Sequence, residues 1–235
     1  MERADRAIIM AAGLGERMRP VTLTVPKPLV KVHGVRFLDN QIETLHRWGI
    51  RDIFVVTGHL GDRFAGLEEQ YPGVRLIRNP DYHRGNNITS MYYAREHLGP
   101  CVIMDGDILI RDPEVLRPEY EQSTYCCTWF EDIHTEWIFR HDDSWRITEC
   151  LQQGGTGWGL RSISFWTRQD ALRLREQVER AYEAGLRDSY WDYIPVVAHR
   201  EDYPLRIRPV SDEAILEIDT FEELCREDPS YRSWK

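Results

Sequence analysis

The sequence has no surplus of positive charge. Thirty Lys and Arg stand against 39 Asp and Glu, a formal net charge of -9, which argues against a nucleic-acid backbone or an anionic membrane surface as the main partner. Long apolar runs are missing too. The opening MERADRAIIMAAG has a charged start and a short apolar stretch that Gly13 interrupts, neither a secretory leader nor a spanning helix, so the expectation is a cytoplasmic protein. The five cysteines include no CxxC pair and no zinc spacing, and this odd set reads as reduced, mostly buried thiols. No period repeats, and no Pro/Ser-rich linker divides the chain. Its 235 residues suit one α/β domain, large enough to bury its own core.

What is present is alternation. Arg6 to Ala11 reads as a buried strand, and the glycines after it turn the chain at the strand's carboxyl end. Leu38, Ile42, Leu45 and Trp48 recur at helical spacing before Gly49, a helix stop. Asp52 to Thr57 is the next strand, Leu76 and Ile77 mark a short one, and Asn86 and Asn87 stand where they can cap a helix ITSMYYAREHL. Cys101 to Met104 is a further buried strand, ending in DGD. Such alternation with short connections predicts an α/β fold: a Rossmann-like, doubly wound, mostly parallel (mixed) sheet. From about Ser123 to Thr167 the pattern changes to short β-like pieces rich in Trp, Thr and Gly, a small β-rich insertion or second lobe, before helix resumes over Arg168 to Ala184.

The stretch AAGLGERMRPVTLTVPKPL, Ala11 to Leu29, combines glycine with bare cations. A dinucleotide fingerprint is excluded because Met18 stands where its third glycine belongs, and a Walker loop because no Gly-Lys-Ser/Thr follows. Two readings remain. One is an ordinary turn with solvated cations; the other is a loop whose backbone N–H groups approach a triphosphate while Arg17 and Lys27 supply charge. Asp105 and Asp107 follow a buried strand, at the end where open α/β sheets bind ligands, and strand alternation points both to one side. They suit a Mg²⁺ ligand and a loop-positioning residue, or simply an Asp-Gly turn. Of eight tryptophans, all but Trp48 lie in the second part of the chain, most of them for packing. Glu136-Trp137 and Tyr190-Trp191-Asp192, however, pair aromatic faces with carboxylates, as a cage for a quaternary ammonium does.

The composite of AIIMAAGLGERM followed by PKPL resembles the N-terminal signature of the nucleotidyltransferases that make NDP-sugars and CDP-alcohols. IRDIFVVTGHL, NNITSMYYA, DGD, HTEW, SISFWT, YWDYIP and ILEID follow in the order found in the LicC-type bacterial CTP:phosphocholine cytidylyltransferases. The resemblance implies an enzyme that joins CTP and phosphocholine into CDP-choline with release of pyrophosphate. Cytidylylation of phosphoethanolamine or 2-aminoethylphosphonate is the nearest alternative, ahead of an NDP-sugar pyrophosphorylase or an inactive nucleotide-sensing module. It further implies nucleotide binding by Ala11, Ala12, Gly13, Gly15, Thr57, Gly58, Gly85, Asn86, Asn87 and Asp105, and catalysis by Lys27 and Arg17. Asp107 and Asp219 hold Mg²⁺ on this reading, and Trp137, Tyr190 and Trp191 form the choline cage with Asp192 or Glu217 adding charge. About 1–122 would then bind nucleotide, and about 123–235 would bind the acceptor and supply the second metal ligand. A homodimer is compatible with this reading. Two positions depart from the family pattern: Glu16 replaces a Ser or Thr in the glycine loop, and Arg161-Ser162 replaces a small residue and glycine. An inward-facing Arg161 would favour a second anionic group on the acceptor.

Overall fold

The computed structural model describes residues 1–134 and 136–234. Its centre is a parallel run of strands, β1 (Arg6–Ala11), β2 (Asp52–Thr57), β3 (Val74–Arg78) and β4 (Cys101–Asp105). They lie in the order β3-β2-β1-β4, with β1 hydrogen-bonded in parallel to both β2 and β4. Being covered on both faces, β1 is apolar from Ala7 through Ala11, as buried parallel strands are. Helix α1 (Phe37–Arg47) packs Leu38, Ile42 and Leu45 onto one face, and Gly49, at φ 80°, lets the chain leave it. Helix α2 (Ile88–Ala94) covers the other face with Ile88, Met91 and Ala94.

After β4 come β5 (Ile108–Ile110), β6 (Thr124–Ile133), β7 (Ile138–His141), β8 (Ile147–Leu151) and β9 (Gly155–Trp166). Two of the expected short pieces are long strands. β6 and β9 are ten and twelve residues long, and β9 pairs antiparallel with β4, so these strands extend the central sheet. Antiparallel β6 and parallel β10 (Arg206–Pro209) continue it. β7 also pairs with β9, and β8 with β7. Backbone bonds from Ile147 to Leu205 and from Ile207 to Trp145 then link the start of β8 to β10, curling this end into a small partial barrel.

Helix α3 (Arg168–Glu183) is capped by Thr167, whose side chain accepts from the Asp170 N–H. A final strand, β11 (Ile215–Glu217), pairs antiparallel with β5 and leads into α4 (Phe221–Glu227), whose start carries a reciprocal Thr220–Glu223 capping box. Among the described residues no helix is long and apolar enough to cross a membrane. All five cysteines are free thiols, with Cys101, Cys126 and Cys127 buried.

Candidate active site

The carboxyl ends of β1 and β4 open onto a cavity of about 460 Å³, floored by the glycine loop. Gly15 adopts φ 62°, and a Cβ there would come within 2.9 Å of the Thr22 methyl, so the loop closes only with glycine at this point. Thr22 holds the bend by donating its hydroxyl to Gly15 O at 2.7 Å. Ala11, Ala12, Gly13 and Gly15 all line the cavity, as do Gly85, Asn86, Asn87, Arg17 and Lys27. Thr57 is buried in β2 and Gly58 packs behind Tyr82 and Ala12, so these two back the cavity wall and do not line it.

Lys27 lies between Pro26 and Pro28 in a short turn that aims its ammonium across the cavity mouth. Its Nζ donates to Asp107 Oδ2 at 2.6 Å and to Asp219 Oδ1 at 2.9 Å, and Arg17 approaches the same Asp219 oxygen at 3.1 Å. Burial disfavours the Lys27 charge, yet the two carboxylates outweigh it and hold its pKa above the ordinary value. Burial likewise pushes Asp219 up, and Lys27 followed by Arg17 more than offsets this, leaving the carboxyl below its ordinary range.

A turn, not strand alternation, brings Asp105 and Asp107 together. β4 ends at Asp105, and Gly106 donates its N–H to Met10 O at 2.9 Å before β5 begins. A Cβ on Gly106 would meet both that oxygen and Pro28 at 2.9 Å. Buried Gln41 on α1 fastens the turn from below, its amide donating to Asp105 O at 3.0 Å and Ile108 O at 2.9 Å. Asn86 and Asn87 do not cap α2 with their side chains. Asn87 instead accepts the Trp191 N–H at 2.8 Å, and Asn86 accepts the N–H of Asn87.

A second cavity, about 540 Å³, shares Arg17, Asn87, Asp105, Asp107 and Asp219 with the first. Its remaining wall brings together Trp137, Tyr190, Glu136, Asp192, Glu217 and Ser162. The rings of Trp137 and Tyr190 meet edge to face at 5.7 Å. Trp191 is placed elsewhere: it is buried among Tyr125 and Trp166, with ring centroids 6.4 and 5.7 Å away, and belongs to the core. Arg161 also turns away from the cavity. Its guanidinium donates to Ile215 O at 2.6 Å and lies 4.0 Å from Glu217, so it braces β11 and offers no second anion site.

This second cavity concentrates acid. Burial raises Asp192 to about 7, against a hydrogen bond from Tyr125 that favours its charge. Burial, then the charges of Asp107 and Asp219, raises Glu217 to about 8, while Arg161 opposes the shift. Asp105 is driven well up by burial and by the neighbouring Asp107, Asp192 and Glu217. Clustered shifts of this kind are characteristic of functional sites.

The sequence reading missed Tyr82, Thr89 and Ser90 in the first cavity and Ser162 in the second. Asn86, Thr89 and Ser90 follow a one-face spacing at the start of α2, a signal that was available; Tyr82 and Ser162 reach their places only through the fold.

Residues 7–170 match the MobA-like NTP transferase domain. The chain is 37% identical over 228 residues to the 2-aminoethylphosphonate cytidylyltransferase of Lancefieldella rimae, covering 96% of this chain and 92% of that protein. It is 33% identical over 219 residues to the choline-phosphate cytidylyltransferase of Streptococcus pneumoniae, covering 93% and 94%. The solved structure of the CTP:phosphocholine cytidylyltransferase LicC from Streptococcus pneumoniae superimposes with a TM-score of 0.91 at 31% identity, over 97% of this chain and 99% of that one. The glycine loop, the Lys27 junction and these likenesses agree: the chain belongs to the MobA-like NTP transferase family and is a nucleotidyltransferase.

Proposed function

We propose that the chain is a cytidylyltransferase that moves CMP from CTP onto an ammonium-bearing phosphonate or phosphate. The observation that carries this reading is the meeting of two cavities, one lined by a glycine loop and one by acids and aromatics, at Asp107 and Asp219, both of which Lys27 hydrogen-bonds. CTP occupies the first, with its phosphates against the glycine loop, Arg17 and Lys27. An oxygen of the acceptor's phosphoryl or phosphonyl group attacks the α-phosphorus from the second cavity, a P–O bond forms, and the opposite P–O bond breaks to release pyrophosphate. Lys27 and Arg17 neutralise the charge that gathers on the moving groups, and the rigid loop fixes their alignment.

Asp107 and Asp219 fit a magnesium ion. Asp107 Oδ1 is buried without a hydrogen-bond partner, and hard carboxylate oxygens are the donors that magnesium prefers, with phosphate and water filling its other positions. When bound there it supplies charge neutralisation at the phosphates. We place the reaction in the cytoplasm, with nucleotide-binding residues mainly from about 1–122 and acceptor-binding residues mainly from about 123–235.

For the acceptor, the acids weigh most. Glu136, Asp192, Glu217 and Asp105 offer directional acceptors to a primary ammonium, and the withdrawal of Trp191 leaves two aromatic faces, Trp137 and Tyr190. This favours 2-aminoethylphosphonate, which the relative from Lancefieldella rimae names. The edge-to-face Trp137–Tyr190 pair supports phosphocholine as the second reading. Pyrophosphate release should be measured for CTP, UTP, ATP and dTTP crossed with 2-aminoethylphosphonate, phosphocholine, phosphoethanolamine and glucose 1-phosphate. Fastest turnover with CTP and an amino acceptor is expected; a preference for the sugar phosphate would refute the assignment.

A further inference from the structure

Beneath the nucleotide cavity lies a fully buried amide with a defined direction. Asn79, 1% exposed, accepts the Asp81 N–H on its Oδ1 at 2.8 Å, so its Nδ2 must face the other way as a donor. That Nδ2 donates at 3.0 Å to both Thr89 Oγ1 and Ser90 Oγ, the hydroxyls of two residues that line the cavity. Each hydroxyl, having accepted, keeps its own proton to give. Thr89 gives its proton to Asn86 O at 2.9 Å. Among the described residues Ser90 Oγ has no acceptor.

Arg17, Lys27 and the glycine loop bring cationic and N–H groups to this cavity, a wall suited to phosphates. Thr89 and Ser90 line the same cavity from α2 with neutral hydroxyl-bearing side chains, a wall suited to a base.

We propose that the Ser90 hydroxyl donates a hydrogen bond to the acceptor edge of the pyrimidine, and that Asn79 is a positioning residue that fixes this donor polarity from behind. The inference rests on the cytidylyltransferase reading. Asn79 never touches the nucleotide: it removes the alternative in which Ser90 turns its proton inward and presents a lone pair, which the pyrimidine's acceptor edge would repel. A carboxylate at position 79 would still accept the Asp81 N–H but would draw the Ser90 proton toward itself, so Asn79→Asp reverses the polarity with little change of shape.

The test is calorimetric binding of CTP, and separately of inorganic tripolyphosphate, to the full chain without acceptor. Ser90→Ala should weaken CTP about tenfold, the worth of one neutral hydrogen bond at the upper end of its range, and leave tripolyphosphate unchanged. Asn79→Asp should match it, and the double variant should be no weaker than either single one, since both remove the same bond. An unchanged CTP affinity in Ser90→Ala, an equal loss with tripolyphosphate, or additive losses in the double variant would overturn the inference. Ser90→Ala spares the buried amide, so it decides the matter even where Asn79→Asp fails to fold. A wild-type protein that binds tripolyphosphate but shows no advantage for CTP over ATP refutes the cytidylyltransferase reading itself, a result the variants cannot produce.

Discussion

Lys27 Nζ stands 2.6 Å from Asp107 Oδ2, although the two residues are 80 positions apart in sequence. The contact joins the glycine loop to the turn after β4, so loss of the ammonium strikes both the phosphates and the opposing carboxylates. Lys27→Ala should lower the single-turnover rate on the order of a hundredfold or more, as removal of a preorganised charge donor does. CTP binding should weaken less than the rate falls. An unaltered single-turnover rate would return Lys27 to the role of a structural tie.

Asp107→Asn and Asp219→Asn should each raise the magnesium concentration needed for half-maximal turnover, while thermal unfolding shifts little. The reason is position. Both carboxylates lie at the rim of the shared cavity and contribute charge to it, not apolar contact to the core. Wild-type magnesium dependence in both variants would remove the metal assignment.

Acceptor binding should follow the ionisation of Asp192. Burial raises this carboxyl to about 7 from an ordinary value of 3.8, so the folded protein holds the proton more tightly than the unfolded chain. Its contribution to stability is therefore complete below about pH 4 and is lost as pH rises through about 7. The ammonium of the acceptor wants the charged form, so acceptor KM should fall between pH 6 and 8, about one unit either side of that value. The acceptor's own phosphonate or phosphate also titrates near neutrality, and Asp192→Asn separates the two: the variant should flatten the Asp192 part of the profile alone. An identical profile in wild type and variant would exclude Asp192.

Trp137 and Trp191 should part company on substitution. Trp137→Ala should raise acceptor KM several-fold, since an aromatic face against a cation is worth about 0.5–2 kcal/mol, and should leave stability nearly alone. Trp191→Ala empties a core position between Tyr125 and Trp166 and should cost about 3–5 kcal/mol of stability. Denaturant unfolding beside steady-state kinetics distinguishes them, and equal stability losses would refute the placement of Trp191 outside the cage.

The glycine loop, the PKP turn, α1 and the four parallel strands were legible in the sequence because each signal is local. Gly15 needs its left-handed backbone, Lys27 is held between two prolines, and a buried parallel strand must be apolar along its length. The DGD turn was legible as a pair of acids at a strand end, and what aims them is the Gln41 amide, 64 residues earlier.

Tertiary structure decided what local signals leave open. In YWD the sequence set two aromatics and an acid side by side, but consecutive side chains leave the backbone in different directions. Packing then placed Tyr190 and Asp192 at the cavity and Trp191 in the core. Arg161 was free by sequence to face an acceptor, and the Ile215 carbonyl captured it once β11 lay beside β5. The long β6 and β9 joined the main sheet because the free edge of β4 offered unpaired backbone groups, and strand pairing across some sixty residues satisfies them in a way no local pattern specifies.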